Sequence, residues 1–358
     1  MNTFGQNIKF SIFGESHGAA IGGVLDGMGP GVKIDFEKVD MFLKRRNHRA
    51  VYSTPRNESD SYEILSGIKD GVTTGSPIGF IIRNEDTKSN HYSGLESVMR
   101  PSHSDYGANI KFGGFNDVRG GGHFSGRITA PLVIAGAMAQ SVLDKKGISV
   151  FSHIVKIGDV KGKSILEEDI PIEKIKELQS SMMPVRCDDL KERYMQKITE
   201  TSADKDSVGG VAELVITGVK AGVGEPFFAS VESRLASMMF SVPAVKGVEF
   251  GAGFSITDKT GFYENDSFYY DENKNVKTKT NNNGGILGGL TTGMPIVLRV
   301  AIKPTPSIFK EQDTIDIRTK ENVKLSLKGR HDVCIVPRAA AVLETAASLV
   351  IFDILKGE

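Results

Sequence analysis

Residues 281–307, NNNGGILGGLTTGMPIVLRVAIKPTPS, hold three kinds of chain in one run. The pairs Gly284-Gly285 and Gly288-Gly289 give a backbone that reaches positive φ and lets a ligand approach its amides. Residues 294–302 then alternate. Ile296, Leu298, Val300 and Ile302 share one face, while Arg299 and Lys303 fall on the other, so the period predicts a half-buried strand. Residues 303–307, Lys-Pro-Thr-Pro-Ser, follow. Two prolines stiffen the segment and leave one ammonium and two hydroxyls as its polar groups. That set suits a cluster of anionic oxygens such as a phosphate. The same residues also read as a Gly-rich hairpin closed by a Pro-stopped strand. Strand pairs with Gly-rich turns recur along the chain, and no βαβ repeat for a doubly wound sheet is visible.

Composition narrows the function classes. The 358 residues carry 44 Lys+Arg against 44 Asp+Glu, so no global field draws the chain to nucleic acid or to an acidic membrane. Two cysteines, Cys187 and Cys334, make no disulfide framework and fit a reducing compartment, so a cytoplasmic location is expected. The start, MNTFGQNIKF, lacks a basic segment followed by an apolar run, and no signal peptide is expected. No apolar run reads as long enough to span a bilayer; residues 342–355 are interrupted by Glu344 and Asp353. The 40 glycines follow no period, which excludes a collagen-like or solenoid chain.

Working outward from 281–307, residues 8–13 alternate as a strand and run into Gly14-Glu15-Ser16-His17-Gly18. That matches the G-x-S-x-G pattern of a nucleophile elbow, which needs a helix next. The residues that follow, AAIGGVLDGMGPG, are β-like, so a strand-to-strand turn presenting Ser16 and His17 to a cleft is expected. Residues 35–46 read as a helix capped by Asp35, with Phe36, Val39, Phe42 and Leu43 as its stripe. It ends in Arg45, Arg46, His48, Arg49 and Arg56, more cations than a helix C-terminus calls for, and a small polyanionic substrate fits them. Residues 62–68 and 77–83 read as a hairpin. Residues 84–122 show little periodicity and contain Arg100-Pro101-Ser102-His103-Ser104-Asp105-Tyr106. Arg119-Gly120-Gly121-Gly122-His123-Phe124-Ser125-Gly126-Arg127 then opens a helix running to Lys146, a geometry suited to anions. Strands follow at 148–155, 208–219 and 245–250, and helices at 174–202, broken near Pro184, and at 226–240. Residues 257–283 read as a polar surface loop, and 311–328 as polar chain with one short strand. Arg330-His331-Asp332 precedes a helix over 337–355, with Pro337 in its first turn. The helices after Arg127 and after Arg338 look alike.

Taken together, the motifs resemble the chorismate synthase family. They are GESHG at 14–18, RPSHSDY at 100–106, the Gly-rich Arg motif at 120–127, VKGVEFG at 245–251, GGILGG at 284–289, the KPT stretch and the RHD motif with its helix to Glu344. They fall in the family's order over nearly the whole chain. The resemblance implies a single domain, 1–358, of helices sandwiched between antiparallel sheet layers, assembled as a homotetramer. It implies a 1,4 elimination of phosphate from 5-enolpyruvylshikimate-3-phosphate to give chorismate, requiring reduced FMN, with NADPH as a reductant of that flavin. It assigns catalysis to His17, His103 and Asp332. Substrate binding falls to Ser16, Arg45, Arg46, Arg49, Arg100, Arg127 and Arg330. Flavin binding falls to His123, Phe124, Ser125, Ala244, Gly288, Lys303, Pro304, Thr305, Pro306, Ser307 and Arg330. The chain departs from the family pattern at HFSGRIT, at Pro243 and Pro306, and at Val51, where an Arg is frequent. Backbone contacts survive such changes, so His123, Phe124 and Pro306 stay among the loop-lining residues.

Two other classes compete on residues alone. A serine hydrolase would use Ser16 with His331 and an acidic partner. A non-catalytic module would bind a phosphorylated metabolite without turnover. No HExxH, CxxC or carboxylate cluster points to a metal.

Overall fold

The alternation at 294–302 is realised in strand Ile296–Ile302, which buries Ile296, Leu298, Val300 and Ile302. The structure, a computed structural model, describes residues 1–48, 50, 60–85, 97–327 and 332–358. Ile296–Ile302 lies inside a five-stranded antiparallel sheet. From edge to edge it runs Val160–Lys161, Ser149–Ile157, Gly210–Thr217, Ile296–Ile302, Val245–Phe250. Val297 is buried too, because Phe151 and Val215 on that second face pack with Ile170 and Leu178 beneath the helix Ile172–Ser180.

A second antiparallel sheet runs Thr3–Phe4, Lys9–Gly14, Ala20–Asp26, Ile78–Arg83, Tyr62–Ile64. Between the two sheets lies a layer of helices. Thr129–Lys145 packs on strands of both sheets and against Val336–Leu355, and Phe36–Asn47 flanks that pair. One hydrophobic cluster runs from Ile8 to Ile354 through both sheets and these helices.

The two helices that look alike in sequence are partners in space. At Gly136 an added Cβ would sit 2.1 Å from Thr345 O, so glycine is what permits the helices to approach there. The segment Gly126–Lys145 is apolar and long enough to cross a membrane by length and composition, contrary to the sequence expectation. Yet 89% of its 18-residue window is buried inside the protein, as befits a core helix packed on all sides.

The charges inside Val336–Leu355 have partners far away in sequence. Glu344 accepts a bidentate pair from Arg45 at 3.2 and 3.0 Å, and a hydrogen bond from Ser152 Oγ at 2.9 Å. Asp353 accepts from the amides of Gln6, Asn7 and Ile8 and from Arg234, which ties the first strands to the last helix.

Local signals hold elsewhere. Asp35 caps Phe36–Asn47, accepting from Lys38 N at 3.0 Å. The charged stretch 174–202 forms two helices, Ile172–Ser180 and Asp188–Ala203, either side of Pro184. Two polar stretches carry more structure than expected. Within 257–283, strands Phe268–Tyr270 and Val276–Thr278 pair, and Asp266 ties down Thr280, Asn282 and Asn283. Within 311–328, Gln312–Asp316 pairs with Glu321–Leu325, a two-stranded hairpin in place of one strand. Neither announces itself by hydrophobic alternation, because hydrogen bonds rather than a buried face hold them.

Candidate active site

Residues 14–18 are a hairpin loop. Gly14 faces Ile21 in the antiparallel pair Lys9–Gly14 and Ala20–Asp26, so the strand–helix elbow is absent. Asn84 pins the loop, donating from Nδ2 to Glu15 O at 3.0 Å and to Gly18 O at 2.9 Å. Ser16 is fully buried. Its amide donates to Gly122 O at 3.1 Å, and its Oγ lies 3.1 Å from Gly120 O and 3.0 Å from His17 Nδ1. A hydroxyl enclosed by carbonyls is not presented for attack, so the hydrolase reading loses its nucleophile.

The glycines at 120–122 decide what meets what. All three have positive φ, +58°, +88° and +54°. A Cβ on Gly120 would sit 2.1 Å from the His17 ring, and one on Gly121 would sit 3.3 Å from His103 Nε2. Two histidines distant in sequence therefore flank adjoining residues of one bare backbone segment. His123 extends the contact, with Nδ1 2.8 Å from Gly14 O. Phe124 is exposed and stacks obliquely on Phe112, and Ser125 accepts from Arg127 N at 3.3 Å.

His103 is held from its other side. Its Nδ1 lies 2.6 Å from Asp105 Oδ1. Arg100 clamps the same carboxylate, Nε to Oδ2 at 2.7 Å and Nη2 to Oδ1 at 2.7 Å. Burial works against the Asp105 charge, but the hydrogen bonds from His103 and Arg100 hold its carboxyl well below the usual carboxylate range.

The Lys-Pro-Thr-Pro-Ser loop closes onto this segment. Lys303 Nζ donates to Ser102 O at 2.6 Å, and Lys303 N donates to Ala244 O at 2.9 Å. Ala244 itself has φ +74°. Thr305 Oγ1 donates to Asp332 O at 2.6 Å, and Thr305 O accepts from Ser207. Pro304 abuts Gly209, Pro306 O accepts from Gln312 at 3.4 Å, and Ser307 follows, half-buried. Asp332 Oδ1 accepts from Arg338 Nη1 at 2.8 Å, and Arg338 also reaches Arg46 O and Asn47 Oδ1. Gly288 stands apart, in the turn between Ile286–Leu287 and Leu290–Thr291, whose neighbour Gly289 packs on Glu225, Pro226 and Ser230.

The arginines divide. Arg46 and Arg127 grip opposite oxygens of buried Asp60, and Arg127 Nε donates to Asn84 Oδ1 at 3.2 Å. Burial opposes the Asp60 charge, yet the two guanidinium groups hold its carboxyl below the usual range. Arg45 is 1% exposed and committed to Glu344 and Ser181 O, so it faces the core rather than an opening. Arg49, Val51, Arg330 and His331 lie outside the described residues. A cavity of about 1320 Å³ adjoins Asp60 between Phe36–Asn47 and Asp188–Ala203. Its lining includes Leu43, Lys44, Met183 and Lys191 but neither His17 nor His103, so it is not where the histidines converge.

Sequence reasoning passed over Asn84, Asp60 and Arg338 as participants. Each is a polar residue whose partners are remote in sequence. Asp105 stood inside a stretch singled out for its titratable groups, which was its one signal. No group of three or more potential metal ligands occurs among the described residues.

Two histidines and the Arg100–Asp105 pair thus gather beside positive-φ glycines in an α+β sandwich. A profile of the chorismate synthase family matches residues 8–355. The chorismate synthase of Pyrococcus abyssi is 44% identical over 351 residues, covering 98% of this chain and 96% of its own. That of Methanocaldococcus jannaschii is 42% identical over 365 residues, covering 99% and 96%. A crystal structure of a chorismate synthase superposes with a TM-score of 0.76 at 29% identity, over 98% of this chain and 92% of that one. The chain belongs to the chorismate synthase family, the carbon–oxygen lyases that form chorismate.

Proposed function

We propose that this chain converts 5-enolpyruvylshikimate-3-phosphate to chorismate with reduced FMN bound beside the substrate. The observation that carries the reading is the packing of His17 and His103 against the adjoining glycines Gly120 and Gly121. The reaction breaks the carbon–oxygen bond to phosphate, removes a ring proton and forms a carbon–carbon double bond, with no net redox change. The substrate's phosphate and two carboxylates call for guanidinium partners. Arg46, Arg100 and Arg127, with Arg49 and Arg330, supply them, and Ser16 shapes the loop beneath. Arg45 acts through its pair with Glu344, fixing the helix that carries Arg46.

The residues suit a flavin by their chemistry. Lys303, Thr305 and Ser307 offer an ammonium and hydroxyls to anionic oxygens, and Lys303 is oriented through Ser102 O beside His103. Pro304, Pro306, Ala244, Ser125, Gly288, His123 and Phe124, with Arg330, would line the remainder. When bound, reduced FMN would supply electron density for the elimination and a basic site for the ring proton. His17 protonates the departing phosphate, His103 donates a proton toward the bound flavin, and Asp332 relays the ring proton away. NADPH serves as reductant of the flavin. The chain works as one unit over 1–358, in a cytoplasmic homotetramer acting on a small molecule, with no nucleic acid or membrane partner.

The test is anaerobic phosphate release from 5-enolpyruvylshikimate-3-phosphate with and without reduced FMN. Release should require the reduced flavin without consuming it stoichiometrically. Turnover with no flavin present sinks the proposal, and binding without turnover under all conditions leaves a binding module.

A further inference from the structure

Resting on the role proposed for His103, we infer that Asp105 is the positioning residue that fixes which nitrogen of His103 carries the transferable proton. Its carboxylate is ionised and accepts only, so the 2.6 Å contact requires a proton on His103 Nδ1. Arg100 Nη2 also lies 3.3 Å from that nitrogen. Both are donors, so each turns to the carboxylate between them rather than to the other. Oδ1 takes His103 Nδ1 and Arg100 Nη2, and Oδ2 takes Arg100 Nε and the Arg100 amide at 3.1 Å. The carboxylate is thus held at both oxygens and cannot rotate away from the ring.

With Nδ1 committed, Nε2 is the nitrogen beside Gly121, where an added Cβ would sit 3.3 Å from it. In the imidazolium, Nε2–H lies beside Gly121 while Nδ1–H stays on Asp105. After transfer the neutral ring keeps Nδ1–H, and Asp105 stays ionised. This is the division of labour of a carboxylate that orients a catalytic imidazole without taking its proton. The charged and titratable groups around His103 include Arg100 and Asp105 on its own segment, Lys303 reaching Ser102 O from the facing loop, and the His17 ring beside Gly120. Asp105 is the anion against these cationic groups. Its loss therefore destabilises the imidazolium.

The test is nitrogen-15 NMR of labelled histidine in the flavin-free protein across pH 5–9, with kcat and KM of the loaded enzyme beside it. Wild-type neutral His103 should carry its proton on Nδ1. Asp105→Asn should shift the neutral His103 ring toward the Nε2–H tautomer. It should also lower kcat about tenfold or more. Asp105→Glu, which keeps the acceptor but not the reach, should restore the Nδ1–H tautomer more fully than the rate. An unchanged tautomer and rate in folded Asp105→Asn overturns the inference, as does a neutral wild-type ring protonated on Nε2. If the NMR behaves as expected but the wild type performs no elimination, the proposed function fails while the coupling of Asp105 to His103 stands. Should Asp105→Asn not fold, a normal kcat in Asp105→Glu with a neutral ring protonated on Nε2 is the overturning result.

Discussion

Glycines 120–122 and glycines 284–289 carry the same signal in sequence, adjacent glycines in polar surroundings, and every one of them has positive φ. They differ in what occupies the space of the missing Cβ. At Gly120 and Gly121 it is the side chains of His17, Ser16 and His103. At Gly284, Gly285 and Gly289 it is backbone, of Gly251 and Val297, of Pro295, and of Glu225. Gly288 alone of the second set meets nothing within 4 Å. Gly122, whose Cβ would sit 2.0 Å from Asp117 O, packs on backbone like the second set, so within the first region it is Gly120 and Gly121 that make room for the histidines. Backbone conformation alone does not tell the two apart.

The sharpest way to break this contrast is Gly120→Ala. Its Cβ would sit 2.1 Å from the His17 ring, so the ring must move by an ångström or more. A shift of that size in a reacting group costs on the order of a hundredfold in rate or more. The αL backbone adds about 1–2 kcal/mol of strain. Single-turnover phosphate release by the folded variant decides it, and a near wild-type rate would detach Gly120 from the site.

Next come the groups that the first region assembles. His17→Ala, His103→Ala and Asp332→Asn should each reduce anaerobic phosphate release by roughly a hundredfold, the usual scale for a general acid or base. None belongs to the hydrophobic cluster, so circular dichroism melts should change little. Normal rates in all three would remove these residues from the proton transfers.

Gly284→Ala probes the second region and should act on stability alone. Its Cβ would lie 2.5 Å from Gly251 N and 2.8 Å from Val297 O at φ +65°. Overpacking and strain together predict a loss of about 2–4 kcal/mol in denaturant unfolding, with the rate per folded molecule retained. A specific loss of flavin affinity instead would make this turn part of the cofactor site rather than a packing device.

The smallest effect is expected at Gly288→Ala. With open space around the added methyl, only the φ of +61° is strained, about 1 kcal/mol. Flavin titration is the informative readout here. An affinity loss beyond tenfold would show that the bare backbone of Gly288 meets the cofactor, and an unchanged affinity would confine this hairpin to a structural role.

The sequence by itself determined what depends on neighbours a few residues apart. The period of two at 296–302 sorts the buried residues of that strand, since successive side chains point to opposite faces. Asp35 caps its helix because the amide of Lys38 is one turn away. The strand-to-strand nature of the turn at 14–18 was legible in the β-like residues that follow it. The order of the motifs also implied the family and the sandwich. Only the tertiary structure decided which charges are spent on the fold. Arg45 and Glu344 are 299 residues apart and meet in the core, whereas Arg46, next to Arg45 in sequence, turns with Arg127 onto Asp60. No periodicity encodes such pairings, because they depend on where helices and sheets come to rest against one another. The convergence of His17 and His103 has the same origin. It is set by the glycine segment that passes between them, and only packing of the first hairpin against residues 100–127 puts it there.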